Sequence, residues 1–218
     1  MATVQFGILA FAYQVIDASG PMDLLGSANK SAFRINREYG PVGDELISQA
    51  PQFTFHHIGV TKDPVKLGTG QMTIMPTTTD LISETSICTQ SMPTSSANIL
   101  VASTGVLNGK TATVNNIEFE WVRNRWPQVN WTREKKWIID GNIWTGSGAV
   151  AAMDMVAYWL KENYGLPVLI QASSTLDYEP RGEDGLFNVL PQRCDSKGEK
   201  ISTHVFKYYD SEVEQHSQ

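Results

Sequence analysis

Hydrophobic residues near the start of the chain predict a β-strand followed by a helix. They nearly fill positions 4–11, and several of them are β-branched or aromatic. Such a run is typical of a strand in the middle of a sheet that helices cover on both faces. Turn-forming residues interrupt the run at 16–21. Ser19 suits the N-cap of a helix that begins at Met22, and Pro21 suits its first turn.

Further periodic patterns predict an alternation of strands and helices. Predicted strands cover 53–58, 71–76 and 111–114, a hairpin turns at Asp140-Gly141, and predicted helices cover 97–104, 117–126 and 149–162. In the second helix, Ile117, Trp121 and Val122 share the apolar side. Gly146-Ser147-Gly148 leads into the third helix. That turn is consistent with anion binding and equally with close packing on a sheet. These elements predict an α/β fold.

Asp17 is the first candidate for chemistry. It follows the predicted strand at 4–11, and open α/β sheets bind their ligands beyond the carboxyl ends of strands. Aspartate is also common before helices, where it accepts hydrogen bonds from backbone amides. The alternative is an acid/base group whose pKa is shifted from about 3.9 by partial burial.

Composition limits the classes of function. The 218 residues suit one α/β domain at 1–190, followed by a polar, loosely ordered tail at 191–218. A net charge of −6 argues against nucleic acid or an anionic membrane as partner. Neither a signal peptide nor a membrane-spanning run is evident, and Cys88 and Cys194 suggest free thiols. We therefore expect a cytoplasmic protein.

Two stretches resemble the DJ-1/PfpI superfamily, and within it the isonitrile hydratase branch and its fungal members. The first is FGILAFAYQVIDASGPMDLL, with the D-x-x-G-P-x-D pattern at Asp17, Gly20, Pro21 and Asp23; the second is WIIDGNIWTGSGAVAAMDM. The resemblance covers residues 4–80 and 97–180. It implies a flavodoxin-like three-layer α/β sandwich and a homodimer.

The region 77–97 departs from that pattern. It is rich in Thr and Ser, and it is roughly thirty residues shorter than two strands and a helix would require. The fold is therefore expected either to be complete or to lack one strand and one helix. A real deletion and a gene-model artefact both remain open.

Members of this family carry a nucleophilic cysteine at a strained strand-to-helix elbow, and the elbow lowers the pKa of the thiol. The resemblance therefore implies such a cysteine here. Cys88-Thr89 matches the start of a Cys-Thr-Gly elbow, but Gln90 replaces its glycine. An ungapped count back from Gly105 instead places Ser95-Ser96-Ala97 at the elbow. Cys88 is thus either the nucleophile, with a short insertion behind it, or a thiol beside a lost site.

The function implied by the resemblance is hydration of an isonitrile to an N-substituted formamide. The Cys88 thiolate would attack the isonitrile carbon while Asp17 moves the proton, and no cofactor or metal is needed. Adjacent His56 and His57 point to opposite faces of a strand and do not predict a metal site. A catalytically impaired relative with a regulatory or binding role is the alternative. Glyoxalase or deglycase chemistry is less favoured, since it normally uses a glutamate where Asp17 stands.

Overall fold

The chain is built around a parallel pair of strands near its start. The computed structural model describes residues 3–68, 70–79, 92–93, 95–182, 185–186, 189–190, 197 and 199. Strand β1 (Val4–Leu9) pairs in parallel with β2 (Phe53–Ile58) along its whole length. Both strands were expected from the hydrophobic pattern. Their parallel pairing sets the two carboxyl ends at one edge, as an α/β fold requires.

The faces of β1 are not equally covered. Its side chains alternate between half-buried and exposed, and Leu9 is 49% exposed. Phe6 points inward, where its ring packs edge-on against Phe53 and Trp159. Among the described residues, the expectation of a strand buried on both faces is therefore wrong, because strand side chains alternate sides and the aromatic packing gathers on one of them.

Helix α1 (Val15–Ala28) begins seven residues before the predicted start at Met22 and contains Pro21 in its interior. Packing explains the difference, because α1 lies against both α6 (Ala149–Tyr164) and α7 (Leu166–Leu176). Gly20 allows the close approach: a Cβ atom there would stand 2.7 Å from Sδ of Met153 on α6. Tertiary contacts thus override the turn signals of the local sequence.

The main core lies between these helices and the β1–β2 pair. Its fully buried members include Leu24, Ala28, Phe33, Leu160, Val168 and Leu169. The remaining described helices are α2 (Lys30–Asn36), α3 (Asp44–Gln49), α4 (Ala97–Ser103) and α5 (Phe119–Arg125). The remaining described strands are β3 (Val65–Lys66), β4 (Thr73–Ile74), β5 (Thr111–Ala112), β6 (Asn130–Trp131), β7 (Trp137–Asp140), β8 (Ile143–Gly146), β9 (Arg181–Gly182) and β10 (Gly185–Leu186).

The expected hairpin is confirmed by the antiparallel pairing of β7 with β8. The turn lies one residue later than the predicted Asp140-Gly141: Asp140 pairs with Ile143, so the two-residue loop is Gly141-Asn142, with Gly141 at a φ of +63°. The predicted inner face of α5 is wrong in part. Ile117 precedes the helix and is 92% exposed, whereas Phe119 and Val122 are buried.

In the described part of the chain, none of the helices combines the length and the apolar character that a membrane crossing needs. Of the tail predicted at 191–218, only residues 197 and 199 belong to the described set, so its expected loose order is untested.

Candidate functional site

Asp17 follows the carboxyl end of β1 after the connecting residues 10–14. It lies in the first turn of α1 and not in the loop expected before it. The backbone N–H of Gln14 donates a hydrogen bond to Oδ2 of Asp17 at 3.2 Å. The other carboxyl oxygen, Oδ1, is buried and has no hydrogen-bond partner among the described residues. The side chain thus caps its own helix with one oxygen and leaves the second available.

The surroundings of Asp17 favour its neutral form. Burial raises the pKa of the carboxyl group, the hydrogen bond from Gln14 lowers it, and the negative charge of Glu118 raises it again, with a net upward shift. The protonated acid therefore persists to a higher pH than for an exposed aspartate. An upward shift of this kind is typical of carboxyl groups that act as proton donors in a site.

Ser95 occupies a strained elbow immediately before α4. Its φ is +50°, in the left-handed region that a non-glycine residue rarely adopts, and its side chain is 5% exposed. The N–H of Ser95 donates to the carbonyl oxygen of Gly146 at 3.0 Å, and Nδ2 of Asn98 donates to the same oxygen at 2.8 Å. The Gly146-Ser147-Gly148 turn thus anchors the elbow through a backbone carbonyl group.

Glu118 is the second carboxyl group of the site. The hydroxyl group of Ser96 donates a hydrogen bond to Oε1 of Glu118 at 2.7 Å. Oε2 is buried and lacks a partner within the described residues. Because its charge contributes to the pKa of Asp17, the two carboxyl groups are electrostatically coupled.

A cavity of about 360 Å³ joins these groups. Its described lining comes from the end of β1, the start of α1, the Ser95 elbow and the segment before α5. The lining residues are Phe11, Ala12, Tyr13, Gln14, Asp17, Gly68, Ser95, Ser96, Ala97, Asn115, Ile117 and Glu118. No lysine, arginine or histidine is among them, so the described wall of the cavity favours neutral or cationic ligands over anions.

Tyr13 adds a third polar group. Its side chain is 8% exposed, and its hydroxyl group has no partner among the described residues. Burial and the Asp17 charge both raise the pKa of this phenol, which keeps it protonated and able to donate a hydrogen bond. Sequence analysis did not single out Tyr13, and it placed Glu118 in the predicted helix at 117–126 without a role, because the fold sets the neighbours of both residues.

The structure describes only one of the three predicted site residues. Asp17 lines the cavity, whereas Cys88 and Thr89 lie outside the described residues, so the assignment of the nucleophile stays a prediction. The ungapped count from Gly105, in contrast, points to Ser95, which has a left-handed φ and lines the cavity. Within the described ranges, no group of three or more His, Cys, Asp or Glu residues could hold a metal ion.

Solved structures share this architecture. A THiJ/PfpI family protein from Pseudomonas syringae superposes with a TM-score of 0.60 at 17% identity, over 99% of this chain and 88% of the other. Drosophila melanogaster DJ-1beta gives 0.54 at 13% identity, over 81% and 97%. The fold is that of the DJ-1/ThiJ/PfpI proteins. An AraC family transcriptional regulator from Pseudomonas putida also has it, with a TM-score of 0.58 at 14% identity over 81% and 100%.

These matches confirm the predicted flavodoxin-like α/β fold. No protein-family model matches the chain, and no curated protein matches it in sequence. At such low identity the likeness shows the fold alone, and function has to be argued from the site.

Proposed function

We propose that this cavity hydrates a small isonitrile to an N-substituted formamide, with Asp17 as the proton donor. The observation that carries the proposal is the Asp17 carboxyl group itself. It lines the cavity, one of its oxygens has no partner among the described residues, and its pKa is raised. A general acid is most effective when its pKa lies close to the working pH.

The chemistry of the substrate suits such an acid. The terminal carbon of an isonitrile carries a lone pair, and protonation there makes the same carbon electrophilic. Addition of water then gives the formamide. Since the substrate is uncharged, the described lining, which has carboxyl groups and no basic side chain, does not repel it.

The attacking group remains open within this proposal. The family resemblance implies attack by the Cys88 thiolate, with Thr89 next to it. Ser95, with its left-handed φ before α4, is the alternative elbow position, and its hydroxyl group contacts the amide of Asn115, with Nδ2 at 3.4 Å from Oγ. An amide donates a hydrogen bond and does not remove a proton, so this contact does not activate Ser95 as a nucleophile.

A second candidate function is non-catalytic binding, in keeping with a regulatory role. The serine at the elbow favours it, because a hydroxyl group is a far weaker nucleophile than a thiolate at neutral pH. On this view the same cavity holds a small neutral ligand without converting it.

Turnover of cyclohexyl isocyanide tests the proposal. Formation of N-cyclohexylformamide would be followed by mass spectrometry for the wild type, for Asp17→Asn and for Asp23→Asn as control. Asp23 is exposed on the same helix. We expect Asp17→Asn to lower the rate by about 100-fold or more and the control to keep it.

Two outcomes would reject hydration by Asp17. One is a wild-type rate no higher than that of buffer, and the other is equal rates for the two aspartate variants. Calorimetric binding of N-cyclohexylformamide without any turnover of the isonitrile would support the binding function instead.

A further inference from the structure

The backbone holds Glu118 in one place beside the cavity. Its N–H donates to the carbonyl oxygen of Asn115 at 3.0 Å, and its own carbonyl oxygen accepts the N–H of Val122 at 2.9 Å. Ser96, next to the elbow, fixes the carboxylate through Oε1. Oε2 has no such bond within the described part of the chain. One oxygen is thus held in position while the other is available to a ligand.

The Tyr13 hydroxyl group is independent support for a polar ligand at this place. Tyr13 is more than nine-tenths buried, and its oxygen lacks a partner among the described residues. Asp17 Oδ1 and Glu118 Oε2 are also buried atoms without a described hydrogen-bond partner. All three residues line the same cavity. Buried polar atoms are almost always hydrogen-bonded. Three without described partners around one cavity indicate that a polar molecule belongs there.

We infer that Glu118 is a second catalytic residue of this cavity, the base that removes a proton from the attacking water, with Asp17 as the acid. The inference rests on the proposed hydration. It assigns the oxygen of the formamide to a water molecule held beside Oε2, and it requires no covalent bond between enzyme and substrate.

The proton balance closes between the two carboxyl groups. Protonated Asp17 gives its proton to the terminal carbon of R–N≡C, forming the C–H bond. The water oxygen bonds to the same carbon, an electron pair of the carbon–nitrogen bond moves to nitrogen, and Glu118 takes a proton from the water. The imidic acid HO–CH=N–R then shifts its hydroxyl proton to nitrogen and leaves as the formamide. Transfer of the proton from Glu118 to Asp17 restores the starting state.

The same pair sets an expected pH dependence. Asp17 must be protonated, so the rate falls as the pH rises through its pKa. The Glu118 charge contributes to the upward shift of that pKa, and removing the charge moves the fall to lower pH. Tyr13 is the other titratable group in the described lining. Its phenol stays protonated because its pKa is raised.

Glu118→Gln is the deciding variant, because glutamine keeps an oxygen for Ser96 and loses only the base. The control is Glu134→Gln, an exposed glutamate outside the cavity. With cyclohexyl isocyanide, we expect Glu118→Gln to lower kcat by about 100-fold, with the alkaline fall of the residual rate at lower pH. Glu118→Asp should recover part of the rate, and the control should match the wild type.

The outcomes separate the two claims. A wild-type rate for Glu118→Gln together with an inactive Asp17→Asn overturns the role of Glu118 and leaves the hydration standing. An inactive wild type overturns the hydration, and with it the base. A low rate for Glu118→Gln without the pH displacement and without recovery in Glu118→Asp also overturns the inference, because a purely structural role would give that result. Melting curves of each variant confirm folding. Glu118→Ala, which also lacks the base, replaces Glu118→Gln if the latter does not fold.

Discussion

Two carboxyl groups on neighbouring helices, one fully buried and one half-buried, have opposite environments. Asp154 on α6 is fully buried, and one of its oxygens accepts hydrogen bonds from the Tyr178 hydroxyl group and from the Arg181 backbone N–H. The other oxygen accepts from Nε of Arg181 at 3.2 Å. Asp17 on α1 has one backbone donor and a second oxygen with no described partner. Asp154 is thus bonded at both oxygens, whereas Asp17 lines a cavity with one oxygen that has no described partner.

Residues near Asp154 also make hydrogen bonds that stabilise the structure. Glu179 accepts the N–H of Val189 at 3.0 Å and that of Leu190 at 2.8 Å, one on each oxygen. Burial and the Asp154 carboxylate raise the pKa of Tyr178, so its hydroxyl group remains a donor. These bonds attach the segment after α7 to the core. Carboxyl groups in this region therefore have donors at both oxygens, whereas each carboxyl group at the cavity has a described donor at only one.

The largest effect is expected from Asp154→Ala. It removes the acceptor for Tyr178 and Arg181 and should lower the free energy of unfolding by about 3 kcal/mol or more. Asp17→Asn should change it by less than about 1 kcal/mol at pH 7, because the asparagine oxygen can still accept the Gln14 N–H and the substitution removes a half-buried charge. Urea unfolding curves of the two variants measure the difference. Equal losses would remove the distinction drawn between the two sites.

Ser95 tests whether the elbow stores strain. Ser95→Gly should keep or raise the free energy of unfolding, because glycine adopts a φ of +50° without penalty. Ser95→Val should lower it by about 1–3 kcal/mol, since a β-branched residue is strained there. Thermal unfolding of the pair provides the measurement. A valine variant as stable as the glycine variant would contradict the left-handed elbow.

A smaller effect concerns pH and stability. Because the pKa of Asp17 is raised in the folded state, the folded protein binds more protons than the unfolded chain between the unfolded value, about 3.9, and the folded one. The free energy of unfolding therefore falls as the pH rises through that window and stays lower above it. Asp17→Asn lacks this decrease. Urea midpoints from pH 3 to 8 should show the wild type losing stability relative to the variant, and parallel profiles would rule out the raised pKa.

Thiol labelling tests the nucleophile predicted from the sequence. It measures the reactivity of the cysteines, and no change in the free energy of unfolding is expected. A Cys88 thiolate at an activated elbow would react with iodoacetamide faster than Cys194, with an apparent pKa below about 8.5. The labelled residue would be identified by mass spectrometry over a pH series. Equal rates at both cysteines would contradict the assignment to Cys88 and favour water as the attacking group.

Local sequence determined much of the framework. Three elements follow from signals between near neighbours in the chain. The hydrophobic run at 4–11 predicts β1, the Asp-Gly turn signal predicts the β7–β8 hairpin, and Gly105 marks the end of α4. The position of Asp17 beyond β1 could be predicted for the same reason. Strand pattern and turn chemistry are properties of a few consecutive residues.

Tertiary structure decided the rest. Pro21 and its neighbours signal a turn, yet packing of α1 on α6 and α7 holds them in a helix. Tyr13, Ser95 and Glu118 are distant in sequence, and no local pattern marks them as one site. They share a cavity, and the Tyr13 hydroxyl group and Glu118 Oε2 lack partners among the described residues. These features and the effect of Glu118 on the pKa of Asp17 arise from burial and charge across the folded chain. Burial and Coulomb interactions depend on distance in space, which only the fold sets.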